Sequence, residues 1–146
     1  MILPVTQSVQ SAPLKGDRPI IFFDGECVMC NGFVDIMLRL DPNARILMAP
    51  LQGEIAKEVL PPLPVNRKEW TIYFLDESGL YCRSEAFIRI CKRLNNWVSI
   101  LGITGMVPLP IRDGIYNFIA SNRYSFFGRK PNCRIPSASE QEHFLP

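Results

Sequence analysis

Four consecutive apolar residues, Ile20-Ile21-Phe22-Phe23, run into Asp24-Gly25-Glu26, and Cys27-Val28-Met29-Cys30 follows at once. A short apolar run bounded by turn residues predicts a strand buried on both faces. Beyond it, Cys30, Phe33, Val34, Met37 and Leu38 recur at the i, i+3, i+4 spacing of one helical face. That predicts a helix over residues 27–40, stopped by Asp41-Pro42-Asn43. The stretch therefore reads as a buried strand, a tight turn and a helix that opens on a cysteine.

A helix start has physical consequences for a sulfur placed there. Its first N–H groups lack internal partners, and the aligned peptide dipoles add partial positive charge. Both favour a thiolate, with pKa values of about 3.5–7.5 against roughly 8.5 for a free thiol. Cys30 lies one turn from Cys27 on nearly the same face. The pair predicts a dithiol in which Cys27, at the exposed helix end, attacks a substrate disulfide and Cys30 resolves the mixed disulfide. Asp24 beside them takes the proton of Cys30 during resolution, raises the thiol pKa values by its charge, or caps the turn through its side chain.

The same cysteines have other uses, as inert core thiols, a staple or metal ligands. A structural disulfide closing so short a loop contributes only roughly 2 kcal/mol. C-x-x-C is also half of many zinc sites, and Cys82, Cys91, Cys133 and His143 are further ligand types. None of them forms a second C-x-x-C or a paired histidine motif. A non-enzymatic module that binds zinc or a partner through Cys27 and Cys30 is the alternative function. A third reading, a phosphatase-like aspartate nucleophile at Asp24, lacks the usual second aspartate, since Glu26 stands there.

The rest of the chain alternates strands and helices. Residues 45–51 predict a second strand, parallel to the first across a right-handed crossover. A short helix over 52–60 follows, with Ile55, Ala56, Val59 and Leu60 inward. Residues 70–75 and 80–83, separated by Asp76-Glu77-Ser78-Gly79, predict an antiparallel hairpin. Ser84 is a suitable N-cap for a helix over 85–94, whose Cys91 reads as a small core residue. A short helix and turn are expected over 97–106, then a helix over 111–121 with Ile115, Phe118 and Ile119 on one side. From Arg112 to Arg134 there are five basic residues and one acid. That stretch is either a solvated edge, or a positive field near the thiols or an anion-binding patch. Cys133 beyond it is a third redox thiol or a structural cysteine.

The order β-α-β-α-β-β-α predicts an α/β, thioredoxin-like fold: a mixed four-stranded sheet flanked by helices, with a helical C-terminal extension over about 97–146. Residues 1–18, polar and without period, are expected to be a flexible arm, and 19–146 one domain. Five cysteines do not suit a fully paired secreted scaffold. No basic start followed by an apolar stretch marks a signal peptide. The longest apolar region, 97–111, is too short to cross a bilayer. The expected address is the cytoplasm, where disulfides tend to be transient and catalytic. A net charge of +2 points to neither nucleic acid nor membrane as a partner. The partners of the dithiol reading are a protein or small-molecule disulfide and an external thiol reductant, with no metal or organic cofactor.

The run Asp24-Gly25-Glu26-Cys27-Val28-Met29-Cys30-Asn31-Gly32 resembles the signature of the DCC family of thiol-disulfide oxidoreductases. Ser84-Glu85-Ala86, Asn122-Arg123-Tyr124 with Phe127-Gly128, and Cys133-Arg134-Ile135-Pro136 resemble its later segments. The resemblance implies a thioredoxin-like fold and a dithiol site at Cys27 and Cys30 with Asp24 beside it. Unlike ordinary thioredoxins, the chain has no proline between the cysteines, and Lys68-Glu69-Trp70-Thr71 stands where a proline usually precedes the third strand.

Overall fold

A computed structural model describes residues 2–3, 18–94, 100, 105–129 and 135–145. Strand β1 is Ile2–Leu3, β2 Ile20–Phe23, β3 Leu47–Pro50, β4 Tyr73–Asp76 and β5 Gly79–Cys82. Helices are α1 Val28–Leu40, α2 Glu54–Val59, α3 Arg83–Leu94 and α4 Leu109–Phe127. Strands β2 to β5 form the expected mixed four-stranded sheet. β2 pairs parallel with β3 and antiparallel with β4, and β4 pairs antiparallel with β5. Ile2–Leu3 adds a fifth strand on the β5 edge, so the order is β1-β5-β4-β2-β3. The arm expected over 1–18 thus sends two residues into the sheet, and 4–17 lie outside the described residues.

The strand period of two sorts β2 between two cores. Ile21 and Phe23 pack on one face with Val34 and Met37 of α1 and Ala86, Ile90 and Leu94 of α3. Ile20 and Phe22 pack on the other with Ala56 and Val59 of α2. All four β2 side chains are buried, as a strand covered on both faces requires. Cys91 is buried in the first core, where an apolar surround raises its pKa.

Two expectations need correction. The last long helix begins at Leu109 and ends at Phe127, two residues earlier and six later than its periodicity suggested. Asn122-Arg123-Tyr124 is therefore helical. Ser84 does not cap α3 from outside: the helix starts one residue before it, at Arg83, whose φ is 57°. The Ser84 hydroxyl instead donates to Asp113 of α4, and Arg112 pairs with Glu85 at 3.2 Å. These bonds fasten α4 across α3 and bring its far end over the start of α1. The segment expected over 97–106 falls mostly outside the described residues.

Candidate functional site

The turn after β2 is held by side chains from three parts of the chain. Asp24 Oδ1 accepts the Glu26 N–H at 3.0 Å, the Asx contact that closes a tight turn, and the Gln52 amide at 2.8 Å. Gln52 returns the bond by accepting the Gly25 N–H at 3.1 Å. Asn31, buried in the first turn of α1, donates to the carbonyls of Gly25 at 2.9 Å and Cys27 at 2.8 Å. The backbone on either side of the first cysteine is thus fixed before the sulfurs are considered.

Cys27 is the N-cap of α1, with extended backbone at φ −83° and ψ 124°. Its sulfur accepts the Cys30 N–H at 3.5 Å, the place that a serine or aspartate oxygen commonly fills in a cap. The Cys30 thiol also hydrogen-bonds to it. That bond, offset in part by burial, together with the backbone donor and the nearby Arg123 charge, lowers the Cys27 pKa to about 6. The same bond, with burial added, pushes the Cys30 pKa strongly up. The two shifts run in opposite directions, so the first sulfur gives up its proton more readily than the second.

The expected exposures are reversed. Cys27 is wholly buried, at 0 % exposure, and Cys30 is only partly so. Helical spacing places both sulfurs on one face, but a distant segment decides which is covered. At the end of α4, Gly128 adopts φ 85°, and its carbonyl receives the Val28 N–H at 3.5 Å. Arg129 then makes an antiparallel bridge to Cys27. Glu26 secures this cover by accepting from Arg129 Nη2 at 2.6 Å and from Arg67. The Arg129 hydrogen bond is the main reason the Glu26 carboxyl is held below its ordinary pKa.

Arg123 and Tyr124 join the site, which residue spacing alone does not predict. Arg123, 3 % exposed, donates to the carbonyls of Trp70 at 2.8 Å, Ala120 at 3.0 Å and Arg67 at 2.9 Å. Its Nη2 also lies 3.3 Å from Asp24 Oδ2, which accepts from the Tyr124 hydroxyl as well. Burial would raise the Asp24 pKa. The bonds from Tyr124, Gln52 and the Glu26 N–H, with the Arg123 charge, outweigh it and keep the carboxylate ionised. The sequence signals for this were the local excess of basic residues and the family-like Asn122-Arg123-Tyr124. Neither separates a buried arginine from a solvated one.

Cys30 opens on a cavity of about 230 Å³ between α1, α3, α4 and the segment Trp70–Ile72. Asp24 and Arg123 reach the same cavity. Among the described residues no group of three His, Cys, Asp or Glu is placed to hold a metal ion. Cys82 and Cys91 belong to the two cores, and Cys133 lies outside the described residues. No described helix is long and apolar enough to cross a membrane.

A strand running into a helix capped by the first of two cysteines, in a mixed sheet flanked by helices, defines a thioredoxin-like α/β protein with a dithiol. The chain belongs to the DCC1-like thiol-disulfide oxidoreductase family, whose model matches residues 21–129. It is 36% identical over 129 residues to the uncharacterized protein YuxK of Bacillus subtilis, covering 87% of this chain and 93% of that one. It is 32% identical over 124 residues to a chloroplastic DCC family protein of Arabidopsis thaliana, covering 81% and 70% respectively. No solved structure matches. Family and adjacent cysteine pair together fit a thiol-disulfide role.

Proposed function

We propose that the protein is an enzyme that exchanges thiols and disulfides through Cys27 and Cys30, cycling between the dithiol and a Cys27–Cys30 disulfide. The observation that carries this reading is the capping sulfur of Cys27, which accepts the N–H of Cys30 one helical turn on, with the second sulfur beside it. A sulfur held in this way is a stable thiolate and a good leaving group, the two properties that exchange requires. Asp24 acts as a positioning residue, because both its oxygens already accept hydrogen bonds from the turn, Gln52, Tyr124 and Arg123. The partners are a disulfide- or thiol-bearing substrate and an external thiol couple. The proposed setting is the cytoplasm, where disulfides are transient and catalytic rather than structural.

Oxidation of the intact protein by the small uncharged 2-hydroxyethyl disulfide, followed by peptide mapping, tests the reading. A Cys27–Cys30 disulfide is expected, and Cys27→Ser and Cys30→Ser are each expected to abolish turnover of a dithiol–disulfide couple. Parent-like rates in both variants would overturn it.

A further inference from the structure

We propose that the substrate is a small thiol bearing an aromatic or comparable apolar group, and that it is oxidised at Cys30 from within the cavity while Cys27 serves as the leaving sulfur. This deepens the exchange reading above and rests on it. Three observations point the same way.

The first is access. Cys30 lines the cavity; Cys27 does not, and the bridge from Arg129 closes over it. A sulfur arriving through the cavity meets Cys30.

The second is size and wall chemistry. The walls include Phe23, Phe33, Trp70, Ile72, Phe87 and Ile119. A cavity of about 150 Å³ lined by such residues holds a benzene molecule, whereas drug-sized ligands occupy roughly 300–1,000 Å³. At about 230 Å³ this one suits a single ring carrying a short thiol arm. A zwitterionic peptide thiol would leave its charges among apolar side chains, which disfavours it.

The third is a leftover donor. Arg123 spends both terminal nitrogens on carbonyls and on Asp24, but its Nε–H is buried without a hydrogen-bond partner. Such a group is costly to leave unpaired. An anionic sulfur entering beside Arg123 supplies the missing acceptor.

Starting from the Cys27–Cys30 disulfide, the substrate thiolate attacks Cys30 Sγ. The S–S bond breaks, and its electron pair leaves on Cys27 Sγ, where the cap donor receives it. A second substrate thiolate attacks the substrate sulfur of the mixed disulfide, releasing the small disulfide and returning Cys30. Two thiols are oxidised and the protein disulfide is reduced by two electrons. Of the two thiol protons, one ends on Cys30 and one passes to solvent. A small uncharged disulfide restores the oxidised protein: Cys30, losing its proton to the thiolate it displaces, attacks one sulfur and releases one thiol, and the Cys27 thiolate then attacks Cys30 Sγ, re-forming the protein disulfide and releasing the second thiolate.

The test uses the intact chain, oxidised with the small uncharged 2-hydroxyethyl disulfide and freed of excess. Phenylmethanethiol and glutathione are compared as reductants at equal thiolate concentration in a single turnover. Phenylmethanethiol is expected to react faster by about tenfold or more, the advantage expected from burying one ring. Ile119→Glu, which puts a charge into the wall, is expected to narrow that ratio. When the turnover with phenylmethanethiol is stopped by acid part-way, peptide mapping should find the benzylthio group on Cys30 and not on Cys27. Equal rates for the two thiols, or labelling of Cys27 rather than Cys30, overturns the assignment. If the protein disulfide forms and turns over glutathione equally well, the exchange reading stands and only the cavity assignment falls. If no Cys27–Cys30 disulfide forms, both fall.

Discussion

Arg123 Nη2 lies 3.3 Å from Asp24 Oδ2, across a separation of 99 residues, and both side chains are almost fully buried. The contact ties the end of the last long helix to the turn before the first one. Two charges out of water tolerate each other only while each is paired and hydrogen-bonded. Asp24→Ala would leave the guanidinium charged and short of its counter-ion. The expected loss of stability is about 3–5 kcal/mol, read from the urea midpoint. A loss under about 1 kcal/mol would mean that Arg123 is neutralised by something other than Asp24.

Gly32 sits in the second turn of α1, and a Cβ built there meets no atom within 4 Å. Its presence therefore answers no packing demand. Gly32→Ala is expected to stabilise the helix by up to about 1 kcal/mol, raising Tm by roughly 3 °C. An unchanged or lower Tm would show that the position serves a contact outside the folded monomer.

Gly128 is also free of neighbours, yet its backbone stands at φ 85° and ψ −179°. That region is nearly closed to residues with a Cβ, at a cost of about 1–3 kcal/mol. Gly128→Ala is expected to loosen the Arg129 bridge over Cys27 rather than the core. Alkylation of Cys27 by iodoacetamide should accelerate, while far-ultraviolet circular dichroism stays at the parent value. A parent-like alkylation rate would show that another segment covers the sulfur.

The Cys27 thiolate also makes stability depend on pH. Its folded-state pKa of about 6 lies below the roughly 8.5 of an unfolded thiol. The stabilisation is fully present above the unfolded value and is lost as pH falls through 6. Thiolate absorbance in the near-neutral range should titrate with a midpoint near 6 and vanish in Cys27→Ser. The stability gap between parent and Cys27→Ser should shrink on acidification through the same range. A midpoint near 8.5 would remove the electrostatic part of the mechanism.

Much of this protein is legible from short-range pattern. The four-residue apolar run announced a strand covered on both sides, because alternate side chains of β2 had to find two cores. The helical spacing after Cys27 announced α1, because a stripe repeating every three to four residues can be buried only on a helix. Cys27 at the start of that helix already predicted a favoured thiolate, since unpaired N–H groups at a helix start are a local property of the backbone. The hairpin of β4 and β5 and the parallel β2–β3 pair followed from turn chemistry and connection length in the same way.

What contact across long stretches of chain decided was the surroundings of the sulfurs. Periodicity states that Cys27 and Cys30 share a face, but not that Arg129 returns to cover the first and leaves the second facing a cavity. It counts the basic residues near the end of the chain, but does not show that Arg123 turns inward to Asp24 while Arg129 clamps Glu26 at the surface. A helical repeat is set by neighbours three and four residues away. Burial and charge pairing at this site are set by partners about a hundred residues distant, and only the packing of α4 across α3 brings them together.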